Sequence, residues 1–218
     1  MRTAALTRFM DRNDAGFALA RMLEHKYKNK NALVLGIPRG GVVVAAAVAH
    51  ALNGDMSVVI TKKLPHPRQP ELAIGSAAED GSTYLNELAQ DIDRDTVRNI
   101  VEAQLREIKS RVYRFRNGKP LPQMFNRIVI IVDDGIATGS TIVPAIKLCK
   151  SRKAVKVIVA APVSAKKFVS EINQLADEVV IVEQIEHFVS VGQAYHDFHA
   201  LSDDEVTKAI NSFGRSRP

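Results

Sequence analysis

Two carboxylates, Asp133 and Asp134, stand side by side directly after five apolar residues (128–132) and just before a run of small and hydroxylated ones, Ala137, Thr138, Gly139, Ser140 and Thr141. Five apolar residues in a row describe a strand buried on both faces. If that strand continued, the two acidic side chains would point to opposite faces. At least one would then enter the core, where an unpaired carboxylate is costly. They are better placed at the open end of the strand, where they can accept hydrogen bonds from the hydroxyls of a ligand. The small residues that follow open a helix, whose first backbone N–H groups lack partners within the helix. Together with three hydroxyls, those N–H groups make a cradle for an anion. Acids that hold hydroxyls beside a cradle that holds a phosphate suit a sugar phosphate.

A second cluster lies upstream. Gly36, Ile37, Pro38, Arg39, Gly40 and Gly41 close an apolar run that begins at Ala32. The glycines let the backbone approach a ligand closely, and Arg39 can fork onto a diphosphate. His196 and His199 are three apart and could share a helix face, but no third metal ligand stands out. Cys149 falls inside the helix after the acidic pair and reads as a small buried hydrophobe.

These residues need elements to position them. Residues 32–37 read as a buried strand and 41–52, rich in Ala and Val, as a helix packed on the sheet. Residues 57–61 read as a second strand. Residues 64–87 hold three prolines and two glycines and read as a long excursion, with a hairpin at 79–82. Residues 91–115 lack Gly and Pro and space Ile100, Leu105, Ile108 and Val112 as on one helical face, ended by Asn117 and Gly118. Helix 140–151 follows the acidic pair, then strand 154–161, a helix from 165 to about 176 capped by Ser164, and strand 178–182. Ser202 with Glu205 predicts a capping box for a last helix. Strand–helix alternation of this kind implies a parallel sheet covered on both faces, with ligands at the carboxyl ends of its strands. Residues 38–41 and 133–141 both sit there.

The totals agree with a globular chain that can bury a sizeable core. It has 218 residues, 46% hydrophobic and 25% charged. One cysteine allows no intrachain disulfide, which fits a reducing compartment. No apolar run approaches the roughly 20 residues of a membrane span, and residues 1–14 lack the apolar core of a secretory signal. The expected location is cytoplasmic. A net charge of +6 makes an anionic ligand or partner plausible. Its four Tyr and eight Phe do not cluster with basic residues as an RNA-stacking surface would.

The stretch 128–141 resembles the signature of the type I phosphoribosyltransferase family: an apolar strand, two acids, two mostly apolar residues, then a short Thr/Gly-rich loop. The resemblance implies an α/β fold, a Rossmann-like central parallel sheet with helices on both faces plus a small hood from the chain ends, in one domain over 1–218. It implies that Asp133 and Asp134 hold the ribose hydroxyls of phosphoribosyl pyrophosphate (PRPP), and that Ala137, Thr138, Gly139, Ser140 and Thr141 cradle its 5′-phosphate. Arg39 and Gly40 would belong to the pyrophosphate loop, with a non-proline cis bond expected at Arg39–Gly40. Lys62 (favoured) or Lys63, with Arg68 and His66, would meet the pyrophosphate. The family's mobile catalytic loop corresponds to about 64–85, where Glu71 or Glu79 could be an acid–base group. Phe188 and Asp197 match its base-binding pair loosely, the Gly-to-Asp spacing differing by one. The Asp of 6-oxopurine members is replaced by Ala137. Their basic residue after the strand near Ala161 has no evident counterpart, since Ser164 stands about there.

The implied activity is that of a pentosyltransferase of nucleotide metabolism. It would transfer 5-phosphoribosyl from PRPP to a small nitrogenous acceptor with Mg²⁺ on the diphosphate, in a homo-oligomer, with no protein cage for the metal. The alternative is a non-catalytic PRPP-sensing regulator or nucleic-acid-binding protein on the same fold.

Overall fold

Residues 9–137, 139–166 and 172–215 are described in the computed structural model, and their fold grows from three central strands that are buried on both faces, flanked by two that are only partly buried. In chain order the elements are α1 (Arg12–Tyr27), β1 (Leu33–Gly36), α2 (Gly40–Leu52), β2 (Asp55–Val58), β3 (Thr61–Pro65), β4 (Ala73–Ala78), β5 (Thr83–Leu85), α3 (Arg94–Arg116), β6 (Ile128–Val132), α4 (Ile142–Ser151), β7 (Lys156–Ala165), β8 (Glu178–Ile185) and α5 (Asp203–Arg215). Five of the strands form one sheet in the order β2-β1-β6-β7-β8, every neighbouring pair parallel. The strand order reverses between β1 and β6, and the crevice outside the carboxyl ends of such a pair is where open α/β sheets take ligands. The expected α/β architecture with helices on both faces is therefore the observed one.

The strands' alternation explains the two layers. In β6, Val129 and Ile131 pack towards Ile142, Ala145, Ile146 and Leu148 of α4, and Ile130 and Val132 pack towards Leu19 and Leu23 of α1 and Val44 and Val48 of α2. Both sets are buried, so the strand has no polar face. The last helix starts as expected: the Ser202 N–H donates to Glu205 Oε2 at 2.7 Å, and the Glu205 N–H donates to Ser202 Oγ at 3.3 Å.

Four expectations change. Helix α1 is an addition to the elements read from the sequence; Asp11 caps it by accepting from the N–H groups of Asn13 and Asp14. The strand expected at 57–61 is two strands, β2 of the main sheet and β3 of a separate antiparallel sheet β3-β4-β5. That second sheet takes up most of the excursion at 64–87. The hairpin turn at 79–82 is present, but only residues 66–72 form an irregular tip, because Leu64, Ile74 and Ala77 are buried against α3 and α5. Ser164 does not cap a helix: it is fully buried inside β7, which runs to Ala165. Pro162 does not end that strand, since β6 has already stopped pairing at Ala160, and a residue without an N–H is tolerated there. Of the helix expected from 165 to 176, residues 167–171 lie outside the described residues, and Ile172 and Asn173 are helical.

Residues 9–10 pair with residues 194–197 beside the sheet. The Phe9 N–H donates to the Ala194 carbonyl at 2.8 Å, and the His196 and Asp197 N–H groups donate to Phe9 and Met10. Phe9 packs tilted against Tyr195, and Tyr195 stacks on Phe198, with centroids 5.6 and 4.9 Å apart. These contacts form a small layer at the place where a hood is expected, and they put α1 beside the end of β6.

Candidate active site

Asp133 and Asp134 lie one and two residues past β6, at the mouth of the crevice between β1 and β6. The Asp134 N–H donates to Asp133 Oδ1 at 2.9 Å, and the Thr141 side chain hydrogen-bonds the same carboxyl. The second carboxylate is held from the hood. Arg12 Nε donates to Asp134 Oδ2 at 2.8 Å, with side chains only 9% and 14% exposed. Arg12 also donates to the His199 carbonyl at 3.1 Å and lies 4.0 Å from the Phe198 ring centroid. The buried Tyr195 hydroxyl donates to the Asp134 carbonyl at 2.6 Å; burial pushes its pKa up, so it remains a donor. Sequence reasoning missed Arg12 and Tyr195.

The two acids differ electrostatically. Burial first, then the neighbouring Asp134 charge, pushes Asp133 well above the usual carboxylate range. Burial also raises Asp134, but Arg12 opposes that shift by hydrogen bond and charge. A ligand that brings hydroxyl donors or a cation to this mouth would relieve both.

The loop after β1 presses on the pair. A Cβ on Gly40 would fall 1.7 Å from Asp134 Oδ2 and 2.7 Å from Arg12 Nε, so this position has no room for a side chain. Arg39 is exposed at the N-terminus of α2. The cis peptide bond is Pro38–Arg39, one residue before the expected Arg39–Gly40. On the other side, Ala137 is half-buried and Gly139 is buried with φ +70, a left-handed conformation that suits glycine. Ser140 and Thr141 close the turn before α4, and Thr138 lies outside the described residues. The Ile142 and Val143 N–H groups both turn back to Gly139. Thr61 Oγ1 donates to the Thr141 carbonyl at 2.8 Å, tying β3 to the cradle.

The other expected residues are more scattered. Lys62 faces α3, its Nζ 2.7 Å from Glu107 Oε1, whereas Lys63 shares the face of Thr61 and donates to the Pro70 carbonyl at 3.0 Å. Arg68 and Glu71 are exposed on the 66–72 tip, where the Arg68 N–H donates to the His66 ring at 3.2 Å. Glu79 is turned inward: it pairs with Arg116 and accepts from the Ile60 N–H at 2.9 Å, so it is a buried anchor of the hairpin. Phe188 is half-buried in the hood cluster, and Asp197 is exposed with Oδ1 2.9 Å from His199 Nδ1. His196 and His199 are not on a helix, and the His199 ring sits between Asp197 and Glu205. Cys149 is buried, and burial pushes its thiol up to about 12, as expected of a small hydrophobe. Because β7 runs to Ala165, the first basic residue after it is Lys166, whose Nζ is 3.6 Å from Glu186. No helix among the described residues is long and apolar enough to cross a membrane.

Comparison with known proteins bears on this geometry. The family model for the phosphoribosyl transferase domain matches residues 10–199. A Mycobacterium tuberculosis protein (strain H37Rv), provisionally named a phosphoribosyl transferase, is 41% identical over 206 residues, which is 93% of this chain and 46% of that protein. The chain thus spans about half the length of the curated relatives it matches. The crystal structure of the TT1426 protein from Thermus thermophilus is 33% identical with a TM-score of 0.81, covering 94% of this chain and 99% of that one. The structure of the AQ2163 protein from Aquifex aeolicus shares the fold at 14% identity, with a TM-score of 0.51 over 81% of this chain and 77% of its own.

Proposed function

This chain belongs to the phosphoribosyl transferase domain family, and on that premise we propose that it binds PRPP where β1 and β6 diverge and transfers the 5-phosphoribosyl group to a small nitrogenous acceptor, releasing pyrophosphate. The observation that carries this reading is the acidic pair at the sheet's switch point, followed at once by a small-residue turn into α4. The 5′-phosphate would sit on the turn 137–141, since the N-terminus of a helix favours an anion. The ribose hydroxyls would donate to Asp133 and Asp134. The pyrophosphate would lie along residues 38–41, with Arg39 at its outer edge.

In the transfer the C1–O bond to pyrophosphate breaks and a C1–N bond forms from the opposite face. Pyrophosphate leaves with the bonding electrons, and the acceptor nitrogen gives up a proton. Positive charge develops on the ribose in between, close to two fixed carboxylates that would stabilise it. Their geometry is set beforehand by Arg12, Tyr195 and Thr141, so little reorganisation is needed at that moment. Mg²⁺ suits this donor set: carboxylates are hard oxygen ligands, and among the described residues no group of three or more candidate protein ligands gathers, so the ion would ride mainly on the diphosphate. When bound it would neutralise charge on the leaving group. The alternative of a nucleic-acid partner is less supported, since Arg98, Arg106 and Arg111 of α3 each pair with an acid on the same helix.

The reading is tested by pyrophosphate release from PRPP and Mg²⁺ across nucleobases and other small nitrogen compounds. Release that depends on one acceptor is expected; PRPP binding without release for any acceptor would remove the transfer step. Two substitutions refine it. Gly40→Ala forces the new methyl into the Arg12–Asp134 pair and should weaken PRPP roughly 10- to 100-fold, as small misplacements at such sites do. Arg39→Ala should weaken pyrophosphate by on the order of tenfold, the loss of a charge-assisted contact, and leave ribose 5-phosphate nearly unchanged. Calorimetry reads both, and equal losses for the two ligands would argue against the pyrophosphate role of Arg39.

A further inference from the structure

A groove of about 500 Å³ lies between the C-terminal half of α3, the β4–β5 turn, residues 118–121 and Arg152 just past α4. It shares no residue with the acidic pair, with 38–41 or with 137–141. Its floor is apolar, built from Ile108, Val112 and Leu121. Its rim carries Lys109, Lys119 and Arg152, all exposed and none in an ion pair among the described residues.

Glu79 is offset by Arg116 and also accepts from the Ile60 N–H. Asp80, which accepts from the N–H and hydroxyl of Ser82, keeps its charge but stands against the three cations of the rim. The groove is therefore net positive. Arg116 also lines the groove, its side chain only 8% exposed and paired with Glu79.

We propose that this groove is a second ligand site, and that it takes a nucleoside phosphate. Its volume is that of a small-molecule pocket. An apolar floor for a flat base, with three separate cations at its edge for phosphate oxygens, matches a ligand that is apolar at one end and multiply charged at the other. The floor belongs to α3 and the 118–121 turn, and the cations come from three separate segments, so the geometry depends on the tertiary fold and not on one helix. This site stands independently of the PRPP reading, because the two share no residue.

Calorimetric titration with ATP and GTP tests it, on the wild-type protein, on Lys109→Glu with Lys119→Glu, and on Asp133→Asn. Both lysines are exposed, so the reversal leaves the core alone. The expected result is saturable binding that persists in Asp133→Asn and weakens by roughly tenfold or more in the lysine variant, more steeply at low salt. Three outcomes would overturn the proposal. One is no saturable binding to the wild-type protein. Another is binding lost in Asp133→Asn and kept in the lysine variant, which would place the nucleotide at the acidic pair. The third is a concentration-dependent mass increase, without nucleotide binding, that the lysine variant abolishes; a second copy of the chain would then cover the groove.

Discussion

Asp133→Asn is expected to bind PRPP on the order of 10- to 100-fold more weakly than the wild-type protein, and at pH 7 to unfold at a higher temperature. The first half follows from replacing a charged acceptor of ribose hydroxyls by a neutral one. The second follows from the environment. Burial and the Asp134 charge raise the Asp133 pKa well above its ordinary value, so placing this carboxyl in the site costs folding free energy at neutral pH. The amide keeps the oxygen that accepts the Asp134 N–H and removes the charge. The sign fixes the pH window. With its folded pKa raised, wild-type Asp133 binds more protons folded than unfolded between about 4, the unfolded value, and the folded pKa. Wild-type stability therefore falls as pH rises through that interval, and the variant escapes the fall. Its advantage should grow as pH rises above about 4, be larger at pH 7 than at pH 5, and vanish below about pH 4. Thermal unfolding at these pH values checks this; a variant less stable than wild type at pH 7 would mean that Asp133 is not strained by burial. The site would then be one more case of function held at the expense of stability only if the expected gain is measured.

The partner carboxylate behaves oppositely. Arg12→Ala leaves Asp134 buried without its counter-charge, and breaking a largely buried pair from one side costs about 3–5 kcal/mol. For a chain of this size that is a fall in unfolding temperature of on the order of 10 °C. Some of the loss comes from the contacts to the His199 carbonyl and the Phe198 ring, so Arg12→Lys should recover only part of it. Without Arg12 the Asp134 pKa also rises further, so PRPP affinity in the variant should fall more steeply with decreasing pH than in the wild type. A purely structural Arg12 would lower stability and leave that pH profile unmoved. Asp134→Asn is a less clean probe of binding than Asp133→Asn, since it strands Arg12.

The readable parts of this molecule are those whose signal is local. Residues 128–132 fall on β6 to the residue, because a strand buried on both faces must be apolar throughout. The acidic pair and the small-residue turn are legible for the same reason: each needs a particular residue type at the end of that strand. A signal for α1 is present, with Asp11 as cap and Ala15, Leu19 and Leu23 four apart, but the charged residues that precede it mask it. The role of Arg12 is not readable, since its partner is 122 residues away and nothing local marks the pair. Glu79 reads as a loop acid because the prolines and glycines of 64–87 suggest a loop; β3, β4 and β5 bury it against Arg116 instead. The same kind of local reading ends β7 before Pro162, whereas the pairing there is decided by where β6 stops.

The most direct test of PRPP binding at the acidic pair is calorimetric titration of the folded protein with PRPP and Mg²⁺, with ribose 5-phosphate as the control. Saturable one-site binding is predicted, tighter for PRPP than for the control and weakened at least about tenfold in Asp133→Asn. No binding of either ligand, or equal affinity for the two that Asp133→Asn leaves unchanged, would contradict it.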